Sequence, residues 1–190
     1  MDRIAKDGYF TPEALALALT KRVSACVVLA DPIHILEPSS GGGAFVRAAC
    51  AVWPTSEIVA VDVAPTARMF SAGAEFTCCD FLAWRAIPFD LIIGNPPYGD
   101  AEAHVQHALK LLRPGGTVAF LLRLSFLASQ RRMRGVCSGP GRYVAPIGPR
   151  PSFTGGGSDN SEYGLFCWTP DARDRAGESK LGEPIFWGAP

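Results

Sequence analysis

The chain has 190 residues, 48% of them hydrophobic and 19% charged, with 18 basic residues against 18 acidic ones and a formal net charge of zero. That composition excludes an intrinsically disordered chain, and the length suits one domain with a buried core. No apolar run approaches the roughly 20 residues that span a bilayer, and the start, MDRIAKDGYF, has no signal-peptide core, so a cytoplasmic protein without membrane contact is expected.

Taken in chain order, Thr11-Pro12-Glu13 predicts a helix start, with a capping hydroxyl, proline at the first helical position and then an acid; the helix continues through ALALALTKRV. Ile33 to Glu37 predicts a strand, followed by a glycine loop and a helix from about Gly43 to Val52. Glu57 to Asp62 predicts a second strand with a short helix after it at Pro65 to Phe70, and Glu75 to Cys78 a third strand. Phe89 to Gly94 is almost continuously apolar, as a strand buried on both faces should be. A helix from Ala101 to Leu112 should stop at Arg113-Pro114-Gly115-Gly116, before a strand from Thr117 to Leu124 and a helix from Phe126 to Arg134. Arg142 to Ile147 and Glu162 to Trp168 predict two more strands, joined by RPSFTGGGSDNS, and IFW near the end returns to apolar character. Strands alternating with helices imply an α/β fold, a mostly parallel sheet with helices on both faces.

The six cysteines (Cys26, Cys50, Cys78, Cys79, Cys137, Cys167) form no CxxC pair, which favours reduced thiols over zinc or disulfides. His104 and His107 lie three apart on a predicted helix without the acid or cysteine spacing of a metal site, so they read as surface or groove residues and no metal is expected. The charge is unevenly spread. From Ala103 to Ser158 no acid occurs, while Lys110, Arg113, Arg123, Arg131, Arg132, Arg134, Arg142 and Arg150 contribute eight positive charges; the remainder carries ten bases against eighteen acids. Such polarity predicts one basic face and an anionic partner.

Parallel α/β sheets bind ligands outside the carboxyl ends of their strands. Four such ends carry polar or glycine-rich segments: Glu37 to Phe45 (EPSSGGGAF), Asp62, Asp80-Phe81, and Asn95-Pro96-Pro97-Tyr98. The glycines admit a ligand close to the backbone, and the following helix aims amide donors at it. Asp62, about 20 residues after the loop, is where a carboxylate can accept two ribose hydroxyls. The two prolines remove two donors and fix two φ angles, holding the Asn95 side chain and the Pro96 carbonyl in set directions. No Lys-Ser or Lys-Thr follows the glycine loop, so it is not a Walker loop, and it lacks the GxGxxG spacing of nicotinamide enzymes.

On these residues the chain resembles the S-adenosylmethionine-dependent adenine-N(6) DNA methyltransferases, as a small, phage-like member without a separate target-recognition domain. YFTP (Tyr9, Thr11 and Pro12) resembles the family's amino-terminal motif at the methionine end of the cofactor. EPSSGGGAF (Glu37, Pro38, Ser39, Gly41, Gly43, Phe45) resembles the cofactor loop, Asp62 the ribose-binding acid, Asp80 and Phe81 the residues beside the cofactor adenine, and Asn95 to Tyr98 the catalytic motif. RPSFTGGGSDNSEYGLFCW is similar to the carboxyl-terminal hairpin of phage-type members. The resemblance implies a seven-stranded Rossmann-like sheet of the class I methyltransferase kind. It divides the single domain into a leading helix (1–30), a cofactor and catalytic core (31–124), a basic segment with hairpin (125–170) and a tail (171–190).

The implied chemistry answers why the chain spends two prolines there. The Asn95 side-chain oxygen and the Pro96 carbonyl each accept one N–H of the adenine amine, returning electron density to nitrogen. Tyr98 stacks on a flipped base, and Phe153 is the candidate for its opposite face. Arg131, Arg132, Arg134 and Arg150 are the candidate phosphate contacts. DNA is the expected partner. RNA adenine methylation, protein-glutamine methylation and a non-enzymatic binding module remain the alternatives.

Overall fold

The computed structural model describes residues 10–27, 29, 33–85, 87–138, 140–153, 160–170 and 178–187. The Tyr9 expectation and most of the TGGGSDN loop (154–159) lie outside them. Helices are α1 (Glu13–Cys26), α2 (Ala44–Val52), α3 (Ala101–Lys110) and α4 (Gln130–Arg134). Strands are β1 (His34–Glu37), β2 (Glu57–Asp62), β3 (Glu75–Cys78), β4 (Phe89–Gly94), β5 (Leu112–Arg123), β6 (Arg142–Gly148), β7 (Tyr163–Trp168) and β8 (Ile185–Phe186).

Side chains of a strand alternate between its two faces, and here the alternation splits the core in two. Ile35, Leu91, Ile93, Ala119 and Leu121 face one apolar cluster, in which Leu15, Leu19 and Val23 of α1 and Phe45, Val46 and Ala49 of α2 pack. Leu36, Ile92, Val118, Phe120 and Leu122 face the other, filled by Ala101, Val105 and Ala108 of α3. Leu15, Leu19 and Val23 recur every fourth position, so one stripe of α1 meets the sheet.

The strand order is β3-β2-β1-β4-β5-β7-β6-β8. β1 through β5 run parallel to one another, β7 runs antiparallel to both β5 and β6, and β8 pairs parallel with β6. Among the described residues the sheet therefore has eight strands rather than the expected seven, because Ile185 and Phe186 of the apolar IFW segment add a short edge pairing. The order reverses between β1 and β4, and the loops leaving these two strands open a crevice there.

Three boundaries differ from expectation. Arg113-Pro114-Gly115-Gly116 belongs to β5: Phe89 pairs with Leu112 and Leu91 with Thr117, so three extra residues bulge out and the strand resumes. Gly115 takes φ 80° in that bulge, and the Arg113 guanidinium meets Asp90 Oδ2 at 2.8 Å, anchoring it. The helix expected over Phe126 to Arg134 is split into a 3-10 segment at Leu124–Ala128 and α4, with Ser129 capping the latter. At the start of α1 the Thr11 hydroxyl does not cap the helix, and Pro12 occupies the N-cap position. That hydroxyl is used elsewhere, as described below.

No helix among the described residues is long and apolar enough to cross a membrane. The β6–β7 pairing is closed by Gly141, at φ 66°, whose carbonyl accepts from the Thr169 amide at 2.8 Å. A Cβ at Gly141 would collide with the Thr169 carbonyl. Gly141→Ala should therefore lower stability by at least about 1–2 kcal/mol, the cost of the left-handed backbone alone; a chemical-denaturation midpoint equal to that of the parent would contradict this.

Candidate active site at the carboxyl edge of the sheet

Because β3, β2, β1 and β4 are parallel neighbours, their carboxyl ends present Asp80, Asp62, Glu37 and Asn95 in a row along one edge. Strands lie about 4.8 Å apart, so the row extends roughly 14 Å. A cleft of about 470 Å³ runs along it, with Pro38, Gly41, Asp62, Phe81, Asn95 and Pro97 in its wall.

The loop after β1 is pinned to its neighbours. Gly41 and Gly43 have φ 44° and 74°, and the Ser40 amide donates to the Val61 carbonyl at 3.0 Å. Asp62 holds the same loop from β2: its Oδ2 accepts from the Gly41 amide and its Oδ1 from the Ala64 amide, both at 2.8 Å. Each carboxylate oxygen keeps a second lone-pair direction for a ligand. Asp80 Oδ1 accepts from the Leu82 amide at 2.9 Å, and Phe81 is buried. Pro38 and Ser39 line the cleft, while Phe45 is buried in the first turn of α2.

Glu37 is only 2% exposed, and its Oε1 accepts from the Ser39 amide at 3.1 Å. Burial raises its pKa well above the ordinary carboxyl value, the Ser39 amide opposes this, and Asp62 adds to the rise. The carboxyl is pressed against the end of β4, where a Cβ at Gly94 would overlap it. Glycine before Asn95 is thus a packing requirement that lets β1 and β4 bring their loops together.

At the end of β4, the Asn95 side-chain nitrogen donates to Thr11 Oγ1 at 3.1 Å, across 84 residues of sequence. Its Oδ1 is buried and has no hydrogen-bond partner. An orphaned buried acceptor costs about 1–3 kcal/mol and calls for a specific explanation. Pro96 is buried and Pro97 half-buried beside it. The Thr11 hydroxyl, with Glu37, Ser39 and Asn95, walls a small recess off the cleft. Phe10, 60% exposed, lies over the glycine loop, where a Cβ at Gly42 would come within 2.6 Å of its ring.

Tyr98 forms a wall between the cleft and a second cavity of about 570 Å³. The Arg123 guanidinium sits 4.6 Å above its ring. Its hydroxyl is buried without a partner of hydrogen-bonding geometry, and burial, chiefly, raises its pKa so that the phenol stays neutral. Phe153 lies beside Tyr163 (ring centroids 5.0 Å), which in turn lies beside Tyr98 (5.7 Å). Tyr163 thus stands in the row between the two aromatics that the sequence paired.

The nominated arginines are mostly engaged within the protein. Arg131 pairs with Glu102, Arg150 with Glu162 at 3.2 Å, and Arg132 donates to the Phe126 carbonyl at 2.6 Å while its guanidinium covers the Phe126 ring. Arg134 is exposed on α4. Phe10 was not singled out from the sequence, Arg123 was read only as one charge of the basic stretch, and His104, read as a surface or groove residue, lies in the cleft wall. Arg123 was legible as the last residue of an apolar strand run, and Phe10 as part of YFTP.

No protein-family model matches the chain. The order 3-2-1-4-5-7-6 with a reversed seventh strand, here extended by β8, is the class I S-adenosylmethionine-dependent methyltransferase fold; a protein of Listeria monocytogenes assigned to that class superposes with a TM-score of 0.69 at 13% identity, over 95% of this chain and 66% of that one. Among curated proteins the chain is 31% identical over 203 residues to the type II methyltransferase M.TthHB8I of Thermus thermophilus, covering 81% of this chain and 45% of that protein. It is 40% identical over 81 residues to the type II methyltransferase M.CvrRI of Paramecium bursaria Chlorella virus XZ-6E, covering 40% of this chain and 21% of that protein. The chain therefore spans less than half the length of either relative.

Glu37 gives a direct check on the buried edge. A carboxyl whose folded pKa is raised contributes its stabilisation fully below its unfolded value, near 4.5, and loses it as pH rises through the folded value. Stability of the ligand-free protein relative to Glu37→Gln should therefore fall across that window, as followed by denaturation at stepped pH. A difference that stays constant with pH would show that Glu37 is not held in a desolvated site.

Proposed function

We propose that the chain is an S-adenosylmethionine-dependent methyltransferase that modifies the exocyclic amine of adenine in DNA. The observation that carries this reading is the buried, unpartnered Oδ1 of Asn95, oriented by Thr11 at the mouth of the cleft. An amine donor is what such an oxygen lacks. The fold, and the similarity to two type II methyltransferases, support the same reading.

The cleft fits the cofactor on its own features. Its glycine loop admits a ligand close to the backbone, Asp62 offers outward lone pairs to a ribose diol, and Phe81 and Pro97 supply apolar wall to an adenine. Burial disfavours the charged form of Glu37, and a cationic group entering the recess beside it would favour that form. When bound, S-adenosylmethionine supplies a methyl group on a positively charged sulfur.

The chain's own residues act on the receiving amine. An adenine amine is a weak nucleophile because its lone pair is delocalised into the ring. Asn95 Oδ1 and the Pro96 carbonyl each accept one N–H and localise that lone pair on nitrogen, a stabilisation greatest as positive charge develops there. Stiff prolines keep both acceptors from turning away. Tyr98 offers a face for the base, a contact worth about 1–3 kcal/mol, once Arg123 swings aside. A base in a duplex reaches this wall only when flipped out. The second cavity, beyond Tyr98, leads past Arg123 and Arg131 and suits the strand that carries the base.

The test is transfer of labelled methyl from S-adenosylmethionine to duplex DNA, single-stranded DNA and total RNA, followed by nucleoside analysis. Labelled N(6)-methyladenine from DNA is expected. Label confined to RNA would move the substrate class, and label only in protein would overturn the nucleic-acid reading. Asn95→Ala should reduce transfer by about 10²-fold or more while S-adenosylhomocysteine affinity stays near that of the parent. Asp62→Ala should instead weaken that affinity.

A further inference from the structure

His104 stands outside the residues assigned so far, although it lies in the cleft wall and only 5% of it is exposed. Its position follows from α3, which begins just after Tyr98–Asp100 and turns its fourth residue inward against Phe81. The two rings lie 5.3 Å apart at 34°. The stretch of the cleft that His104 shares with Asp80, Phe81 and Leu82 follows β3, which lies three places in the sheet order from β4, the strand that leads into Asn95.

The ring's tautomer is set by its partner. Nδ1 lies 3.0 Å from the carbonyl oxygen of Asp100, one turn earlier on the chain. A carbonyl only accepts, so Nδ1 carries the proton and Nε2 of the neutral ring is an acceptor. Burial, the largest influence, lowers the His104 pKa; Asp100 and Asp80 oppose it, and His107 adds to it. The ring is thus held neutral, and no described residue donates to Nε2. A histidine in the wall of a cleft with its acceptor nitrogen left over is a recognition element for an N–H donor.

Resting on the reading of this cleft as the cofactor site, we infer that His104 Nε2 accepts a hydrogen bond from the exocyclic amine of the cofactor's adenine and so makes the site selective for adenine over purines carrying oxygen at that carbon. The donor is the cofactor's and not the substrate's, because the substrate amine is received at Asn95, at the other end of the row. The amine has two hydrogens, so His104 and the Asp80 carboxylate can share it. A purine with a carbonyl in place of the amine would set acceptor against acceptor.

Binding of S-adenosylhomocysteine and of S-inosylhomocysteine, measured by calorimetry, tests this without turnover. The parent should prefer the adenosyl compound by about 100-fold or more. His104→Phe should narrow that preference by about tenfold, and His104→Gln, which restores an acceptor near the position of Nε2, should recover much of it. In the unaltered protein, the 15N resonance of His104 Nε2 should move when S-adenosylhomocysteine binds and stay when S-inosylhomocysteine does, a readout that survives a variant failing to fold. A preference unchanged in His104→Phe, or a stationary Nε2 resonance, overturns the assignment while leaving the cofactor site standing. Binding of neither compound by the parent overturns both.

Discussion

The hydrogen bond from the Asn95 side-chain nitrogen to the Thr11 hydroxyl joins the first helix to the end of the central strand, and the geometry of the site hangs on it. A side-chain amide offers a donor on one side and an acceptor on the other. Once Thr11 takes the donor, the acceptor has a fixed direction, and here it is buried without a partner. The folded protein bears that cost in the absence of a ligand, a pattern met where structure is shaped for a partner rather than for its own stability.

What brings Thr11 and Asn95 together is the sheet. α1 buries a stripe of leucines against the same face as α2, and this holds the segment before it over the carboxyl ends of β1 and β4. Those ends approach closely only because Gly94 leaves room for the buried Glu37 carboxyl. Asp62 then clamps the glycine loop from the next strand. Each of these contacts joins a residue at a strand end to one on a neighbouring strand, so the site is a property of the parallel edge and not of any one loop.

Much of this was legible in the sequence. Continuous or alternating apolar runs located the central strands, and the polar residues that end them located the cleft, because parallel packing puts chemistry at strand ends. The misses have physical reasons. Arg113-Pro114-Gly115-Gly116 has the composition of a helix stop, but cross-strand pairing with β4 on both sides turns it into a bulge. Thr11 has the spacing of a helix cap, yet a partner 84 residues away takes its hydroxyl. The arginine-rich stretch read as one basic face. Folding brings Glu102 and Glu162, from either side of the acid-free segment, against Arg131 and Arg150. His104 read as a surface or groove residue and does line the cleft, but nothing local announces that its neighbour across the fold is Phe81. Side-chain partners at long sequence separation are the part a linear reading does not reach.

The measurement that bears most directly on the orienting role of Thr11 is a comparison of Thr11→Val and Thr11→Ser, reading methyl transfer at saturating cofactor alongside S-adenosylhomocysteine affinity. Valine keeps the shape and removes the acceptor for the Asn95 amide. Transfer should fall by about 10–100-fold, the penalty of a misaligned reacting group, with affinity within about twofold of the parent, and serine should restore most of the rate. Transfer at the parental rate in Thr11→Val would contradict the orienting role, and a loss of affinity matching the loss of rate would make Thr11 a cofactor contact instead.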